Sequence, residues 1–265
     1  MRDTAPRTAP RGAKGIEAVT LSESAGVRYL HFGTEWVQGA MRLARPFYLE
    51  LEYQQQMMAP LIFAPHPQRV LQLGLGAGAL AKFCHRYLRE SQIVAVDINP
   101  AVIRVARQWF VLPPDDERLR VLQADAGVFL QRVPTSADCL QVDLYDAQAR
   151  GPVFDDVAFY EACRAALREG GTAVFNLFGR SLAPSLTAIS AVFESRCLRL
   201  PRTGAGNTVV LAFAGAPAHW QAEALVRCAK SLERRFGWPA LSWLKGSRAA
   251  SGQRLELAPG SGFML

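Results

Sequence analysis

The 265-residue chain contains no apolar run approaching the roughly 18–20 residues that a membrane-spanning helix needs. Its first fifteen residues are rich in Arg, Pro, Thr and Ala and lack the apolar block of a secretory signal. They read as a disordered basic tail. Cysteine is sparse and scattered: Cys84, Cys139, Cys163, Cys197 and Cys228 sit singly in apolar segments, with no CxxC spacing. That pattern suits buried free thiols in a reducing cytoplasm better than disulfides or metal ligation. The four histidines, His31, His66, His85 and His219, form no pair with metal-ligand spacing, so no metal is expected. Solenoid repeats and internal low-complexity tracts are also missing.

Half of the residues are apolar, enough for a substantial core. The formal charge is +7, of which the tail supplies +3 through Arg2, Arg7, Arg11 and Lys14 against Asp3. Arg227, Lys230, Arg234, Arg235, Lys245 and Arg248 concentrate more positive charge late in the chain. No aromatic-interleaved basic motif accompanies them, so they read as a solvated face, and nucleic acid is not the expected partner.

Four segments follow from the pattern. Residues 1–15 form the tail, and 16–46 alternate as strands punctuated by turn residues, a small β-hairpin domain. Residues 47–240 form the main domain, entered through a linking helix over 47–63. The last segment, 241–265, matches no template. Within the main domain, short apolar strands are expected at 69–74, 92–97, 119–124, 137–143, 171–177, 196–201 and 207–214. Helices are expected at 78–89, 99–109, 126–132, 156–168, 181–194 and 217–235. The alternation predicts an α/β, Rossmann-like, doubly wound parallel sheet with both faces covered.

The sequence Arg69-Val-Leu-Gln-Leu-Gly74-Leu-Gly76-Ala-Gly78 reads as a buried strand running into a glycine turn. Asp97 ends the next strand, where a carboxylate can hydrogen-bond the hydroxyls of a ribose. The turn fits a dinucleotide fingerprint with Ala79 third, and equally the Gly-x-Gly-x-Gly loop of S-adenosylmethionine-type enzymes. Two later strand ends also carry aspartates, Asp125 (followed by Ala126) and Asp143. Three carboxylates suit a cationic sulfonium and repel a pyrophosphate, which favours an S-adenosyl cofactor. Asp125 fits an acceptor for the adenine amino group, and as an N-cap for the following helix it fits a structural role too.

The fourth strand ends Asp143-Leu-Tyr-Asp146, followed by Gly151-Pro152 and Phe159-Tyr160. Two carboxylates three residues apart can hold a cationic amine and take the proton it must lose before attacking. With these residues the chain resembles the spermidine and spermine synthase family of polyamine aminopropyltransferases, over about residues 20 to 215. The resemblance implies a β-hairpin domain before a Rossmann-like domain of the S-adenosylmethionine-dependent transferase type, and a homodimer. It makes Asp143 the proton acceptor, with Asp146, Tyr53 and Gln54 binding a small amine or polyamine. It gives Gln38, Gly74, Gly76, Gly78, Asp97, Asp125 and Ala126 to decarboxylated S-adenosylmethionine, with release of 5′-methylthioadenosine.

Two positions depart from the family pattern. Ala77 replaces the glycine-loop aspartate that recognises the donor's aminopropyl amine, and Gln55 replaces a glutamate of the amine site. Both remove negative charge, and the first could relax the donor towards S-adenosylmethionine. A methyltransferase, or a non-catalytic nucleoside-binding homologue, is therefore the alternative expectation.

Overall fold

A computed structural model describes residues 18–145, 154–179, 182–258 and 260–265. The first three strands, β1 (Thr20–Ser24), β2 (Val27–His31) and β3 (Gly39–Arg42), form an antiparallel sheet in that order. Ala25 and Gly26, both at positive φ, make the tight turn between β1 and β2. Strand β1 begins at Thr20, and Trp36 and Val37 lie exposed before β3.

The linking segment is not one helix. It is two short ones, α1 (Glu52–Gln56) and α2 (Pro60–Phe63). Pro60 cannot continue the first helix and starts the second at its favoured N-terminal position.

The main domain then runs β4 (Arg69–Leu73), α3 (Ala79–Tyr87), β5 (Gln92–Asp97), α4 (Pro100–Trp109), β6 (Leu119–Gln123) and α5 (Ala126–Leu130). It continues with β7 (Ala137–Val142), α6 (Val157–Ala166), β8 (Leu167–Leu177), α7 (Ala183–Val192), β9 (Cys197–Arg199) and β10 (Thr208–Phe213). The C-terminal part comprises β11 (His219–Gln221), α8 (Ala222–Phe236), α9 (Ala240–Gly246), β12 (Arg248–Ala249) and β13 (Gly262–Met264).

One eight-stranded sheet, ordered β12-β9-β10-β8-β7-β4-β5-β6, spans the domain. The strands from β8 to β6 are mutually parallel, whereas β10 runs antiparallel to both β8 and β9. The sheet is therefore mostly parallel rather than wholly so. The expected helix over 156–168 gives way to strand at Leu167, and the one over 217–235 is preceded by β11, which pairs with β13. The unplaced C-terminal segment supplies α9, which packs on α8, and the edge strand β12.

Alternate residues along each strand feed two cores. Val70, Cys139, Val174 and Leu211 face α1, α2, α3 and α8, while Leu71, Leu140, Phe175 and Ala212 face α6 and α7. A third, small apolar cluster of Leu30, Met41, Ala77 and Phe110 joins the hairpin sheet to the glycine turn. Among the described residues no helix is long and apolar enough to cross a membrane.

Candidate active site

Chain order reverses at β4, which has β5 on one side and β7 on the other. At such a switch point the loops leaving the strand ends diverge and open a crevice at their carboxyl edge. Gly74, Gly76 and Gly78 all adopt positive φ there. At Gly74 the demand is absolute: any Cβ would overlap the backbone carbonyl oxygen of Asp143. The Gly74 N–H donates to Val96 O at 2.8 Å, and the Asp143 N–H donates to Leu73 O at 2.9 Å. The turn is thus pinned to both neighbouring strands.

Asp97 ends β5 with its carboxylate against this turn. Its Oδ2 accepts from Leu75 N at 3.0 Å and its Oδ1 from Asn99 N at 2.8 Å. Burial pushes the carboxyl up from its ordinary value, and backbone donors from Asn99, Leu75 and Gly76 pull the other way. Three backbone donors on its four lone-pair sites leave the carboxylate room to accept one further hydroxyl. Asp125 follows β6 and caps α5, with Oδ1 accepting from Val128 N at 2.9 Å. That cap leaves Oδ2 for a second role. Ala126 begins the helix and is buried. A backbone bond from Ala124 N to Asp97 O at 3.1 Å ties the ends of β5 and β6 together.

Gln38 precedes β3 and reaches the turn through its backbone: a Cβ on Gly76 would lie 3.0 Å from the Gln38 carbonyl oxygen. Ala77, expected to border the cofactor crevice, instead faces the hairpin sheet. It is 1% exposed, and a Cβ on Gly39 would come within 2.6 Å of its methyl group. The close packing of two small residues, one at the turn and one at β3, draws the side chain away.

Asp143 stands just beyond β7. Its Oδ1 accepts from Asn176 Nδ2 at 2.9 Å, and its Oδ2 accepts a longer bond from Tyr53 OH at 3.3 Å. Burial pushes the carboxyl up to about 6, opposed by these two donors. Burial and the adjacent charge raise Tyr53 well above its ordinary value, so its hydroxyl keeps the proton it donates. Gln54, only 4% exposed, donates to Tyr53 OH at 3.4 Å, and its Oε1 has no partner among the described residues. Gln55 is turned away, donating to Leu49 O at 2.8 Å. Asp146, with Gly151 and Pro152, lies outside the described residues.

The structure thus brings Asp97, Asp143, Gln38 and the glycines to one turn, sets Asp125 one strand further, and presents Tyr53 and Gln54 from α1. Sequence reasoning missed Asn176 on β8, Tyr145 and Asn207. Their one signal was position, each at or near the carboxyl end of a strand or its entry loop.

A switch-point turn, an acid ending the second strand of the main domain and a half-buried carboxylate after the fourth are the marks of an S-adenosyl-dependent transferase fold. Solved structures agree. The human Methyltransferase-like protein 13 in complex with SAH superposes with a TM-score of 0.63 at 26% identity, covering 71% of this chain and 93% of that one. A probable spermidine synthase from Corynebacterium glutamicum gives a TM-score of 0.68 at 22% identity, covering 92% and 94%. The narrower assignment comes from sequence. Residues 50–179 match the spermine/spermidine synthase domain, and a polyamine aminopropyltransferase of Chromobacterium violaceum is 37% identical over 84% of this chain and 87% of its own. The chain belongs to the spermine/spermidine synthase family.

Proposed function

We propose that this protein is a polyamine aminopropyltransferase, moving an aminopropyl group from decarboxylated S-adenosylmethionine to an amine. The observation that carries the reading is Asp143, a half-buried carboxylate beside the glycine turn that receives two neutral donors and no cation among the described residues. Such a group is primed to accept a proton. At neutral pH an amine substrate arrives as ammonium, and only its deprotonated form has a lone pair for attack. A value near 6 leaves Asp143 mostly ionised at pH 7 while keeping it more basic than an exposed aspartate.

The bound donor would supply an electrophilic carbon on a charged sulfur and a neutral leaving group, 5′-methylthioadenosine. The residues divide the remaining work. Asp97 would hold a ribose hydroxyl, and the second oxygen of Asp125 the adenine amino group. Ile98, 51% exposed beside Asp97, offers an apolar wall to the base. Gln38 and the three glycines shape the floor, and Ala126 closes it. The orphaned Oε1 of Gln54 would accept an N–H of the amine beside Tyr53, and the family resemblance gives Asp146 to the same amine. Burying that oxygen without a partner costs about 1–3 kcal/mol, which a bound ammonium recovers.

Two copies pairing through the hairpin sheet, whose outer strand β1 is exposed along its length, belong to the same reading. So does a cytoplasmic setting, which suits five unpaired cysteines.

A methyltransferase using intact S-adenosylmethionine is the second reading. It is favoured by the departure from the family pattern at Ala77, where that pattern has an aspartate, and by the likeness to a methyltransferase solved with SAH. One assay separates the two. Pure protein is incubated with putrescine and each donor in turn, and products are read by mass spectrometry. Spermidine and methylthioadenosine from the decarboxylated donor, absent with Asp143→Asn, support the proposal. Methylated amine from the intact donor, with no spermidine, overturns it.

A further inference from the structure

Asp143 does not receive its stronger hydrogen bond from an isolated side chain. Asn176 Nδ2 donates to Asp143 Oδ1 at 2.9 Å, and Asn176 Oδ1 in turn accepts from Asn207 Nδ2 at 3.0 Å. The far end of this file is Thr203. Its Oγ1 accepts from the Asn207 backbone N–H at 2.9 Å, and its single hydroxyl proton is shared between Asn207 O at 3.4 Å and Asn207 Oδ1 at 3.5 Å, so an amide oxygen and not an N–H faces it.

Each link fixes the polarity of the next. A primary amide can point either its oxygen or its nitrogen at a neighbour, and an Asn176 that turned its oxygen to Asp143 would repel the carboxylate. Thr203 sets the oxygen end of Asn207, Asn207 sets the oxygen end of Asn176, and the N–H end is left for Asp143. Asn176 and Asn207 are both buried, so water offers no alternative partner. The backbone around the file is equally tied: Tyr145 OH donates to Asn176 O at 2.7 Å.

The frame extends to the other donor. The turn that holds Thr203 is fastened to α1 by a bond from Gly204 N to Glu52 Oε2 at 2.8 Å, and the residue after Glu52 is Tyr53. The loop between β9 and β10 and the first helix are therefore clamped together; the helix carries Tyr53, and the loop reaches Asp143 through Asn207 and Asn176.

We propose that Asn176 and Asn207 are positioning residues for Asp143, an oriented amide relay anchored at Thr203 that keeps a hydrogen-bond donor aimed at the reacting carboxylate. The assignment rests on Asp143 acting as the proton acceptor, but the orientation of the relay does not depend on which amine or donor binds. The titratable groups facing Asp143 among the described residues are Tyr53 from α1 and Tyr145 from the loop after β7. Both are raised well above their ordinary values and stay neutral through the working range. The relay and Tyr53 are therefore the opposition to desolvation that holds the carboxylate ionised.

The test compares Asn176→Ala and Asn207→Asp with the wild-type chain. Asn207→Asp is nearly isosteric, but its carboxylate cannot donate to Asn176 Oδ1; it attracts Asn176 Nδ2 instead and turns the amide oxygen towards Asp143. The Asp143 carboxyl is followed by difference infrared titration, using Asp143→Asn to identify its band. The pH profile of aminopropyl transfer from decarboxylated S-adenosylmethionine to putrescine is measured alongside. Losing a charge-assisted hydrogen bond should move the carboxyl titration and the acid limb up by about one to two pH units. Transfer then falls about 3- to 25-fold at pH 6.5 and stays within about threefold of wild type at pH 9, where Asp143 is ionised in every form.

An unmoved Asp143 band, or an equal loss at every pH, overturns the relay. If Asn176→Ala does not fold, Asn207→Leu, which removes the donor to Asn176 Oδ1 without adding a charge that would itself raise Asp143, carries the same prediction. A wild-type protein that transfers nothing, yet whose Asp143 band moves in the variants, keeps the relay and refutes the aminopropyltransferase reading instead.

Discussion

Replacing Asp143 by asparagine should make the protein more stable while abolishing its chemistry. Burial lifts this carboxyl from 3.8 to about 6, because the charged form loses hydration that Asn176 and Tyr53 do not fully replace. A rise of that size corresponds to about 3 kcal/mol. Between the two values the folded protein holds the proton and the unfolded chain has released it, so stability falls as pH rises through this window. The Asp143→Asn side chain is neutral at every pH, keeps an oxygen for Asn176 Nδ2 and escapes the penalty. Urea unfolding should therefore find the variant about 2–3 kcal/mol more stable than wild type at pH 8, and only about 1 kcal/mol more stable at pH 4.5. Amine transfer should drop at least about 100-fold, the usual contribution of a positioned base. A variant less stable than wild type at pH 8, or a stability gain independent of pH, would refute the claim that this carboxylate is buried at a cost.

Three further substitutions probe the same region. Gly74→Ala places a Cβ on the Asp143 carbonyl oxygen at positive φ, so melting should show a loss of at least about 2 kcal/mol and calorimetry a loss of nucleoside binding. Ala77→Asp, which writes the family's carboxylate back into the loop, should destabilise without improving donor binding, because position 77 faces Gly39 and an apolar cluster; tighter binding of the decarboxylated donor would contradict that. Lys82 is buried with its Nζ donating to Phe110 O at 2.7 Å, and burial lowers it to about 7. Above that value the unfolded chain binds the extra proton, so wild-type stability should climb between pH 7 and pH 10 by a few kcal/mol, roughly, and Lys82→Met should flatten the climb in denaturant melts.

The parts of the fold that were legible are those where burial writes a pattern. The strands beneath the glycine turn are short apolar runs because helices cover both faces, and the turn itself is spelled by its positive-φ glycines. Strand direction writes no such pattern, which is why β10 reads like its parallel neighbours and yet runs against them. The α6–β8 junction was misplaced for a related reason. Gly170-Gly171 looks like the turn into the strand, but pairing already begins at Leu167 and the register slips between Ala137 and Cys139 to absorb the extra residues.

In the site, carboxylates and glycines announced themselves through charge and through conformational demand. Asn176 and Asn207 did not, since a neutral amide in a strand or at its entry looks like any half-polar position until its partner is known. Asp125 shows the limit from the other side. Its capping bond to Val128 is structural and fills one oxygen, so the residue type alone could not tell the two roles apart. At Ala77 the departure from the family motif was visible in sequence, while its cause, the close approach of Gly39, appears only in three dimensions.

A structure determined with 5′-methylthioadenosine and a diamine bound would test the central idea most directly. A ribose hydroxyl should meet Asp97, the adenine amino group should meet the uncapped oxygen of Asp125, and an amine nitrogen should hydrogen-bond Asp143 Oδ2 beside Tyr53. An adenosine seated away from the glycine turn, or an amine held without contact to Asp143, would contradict it.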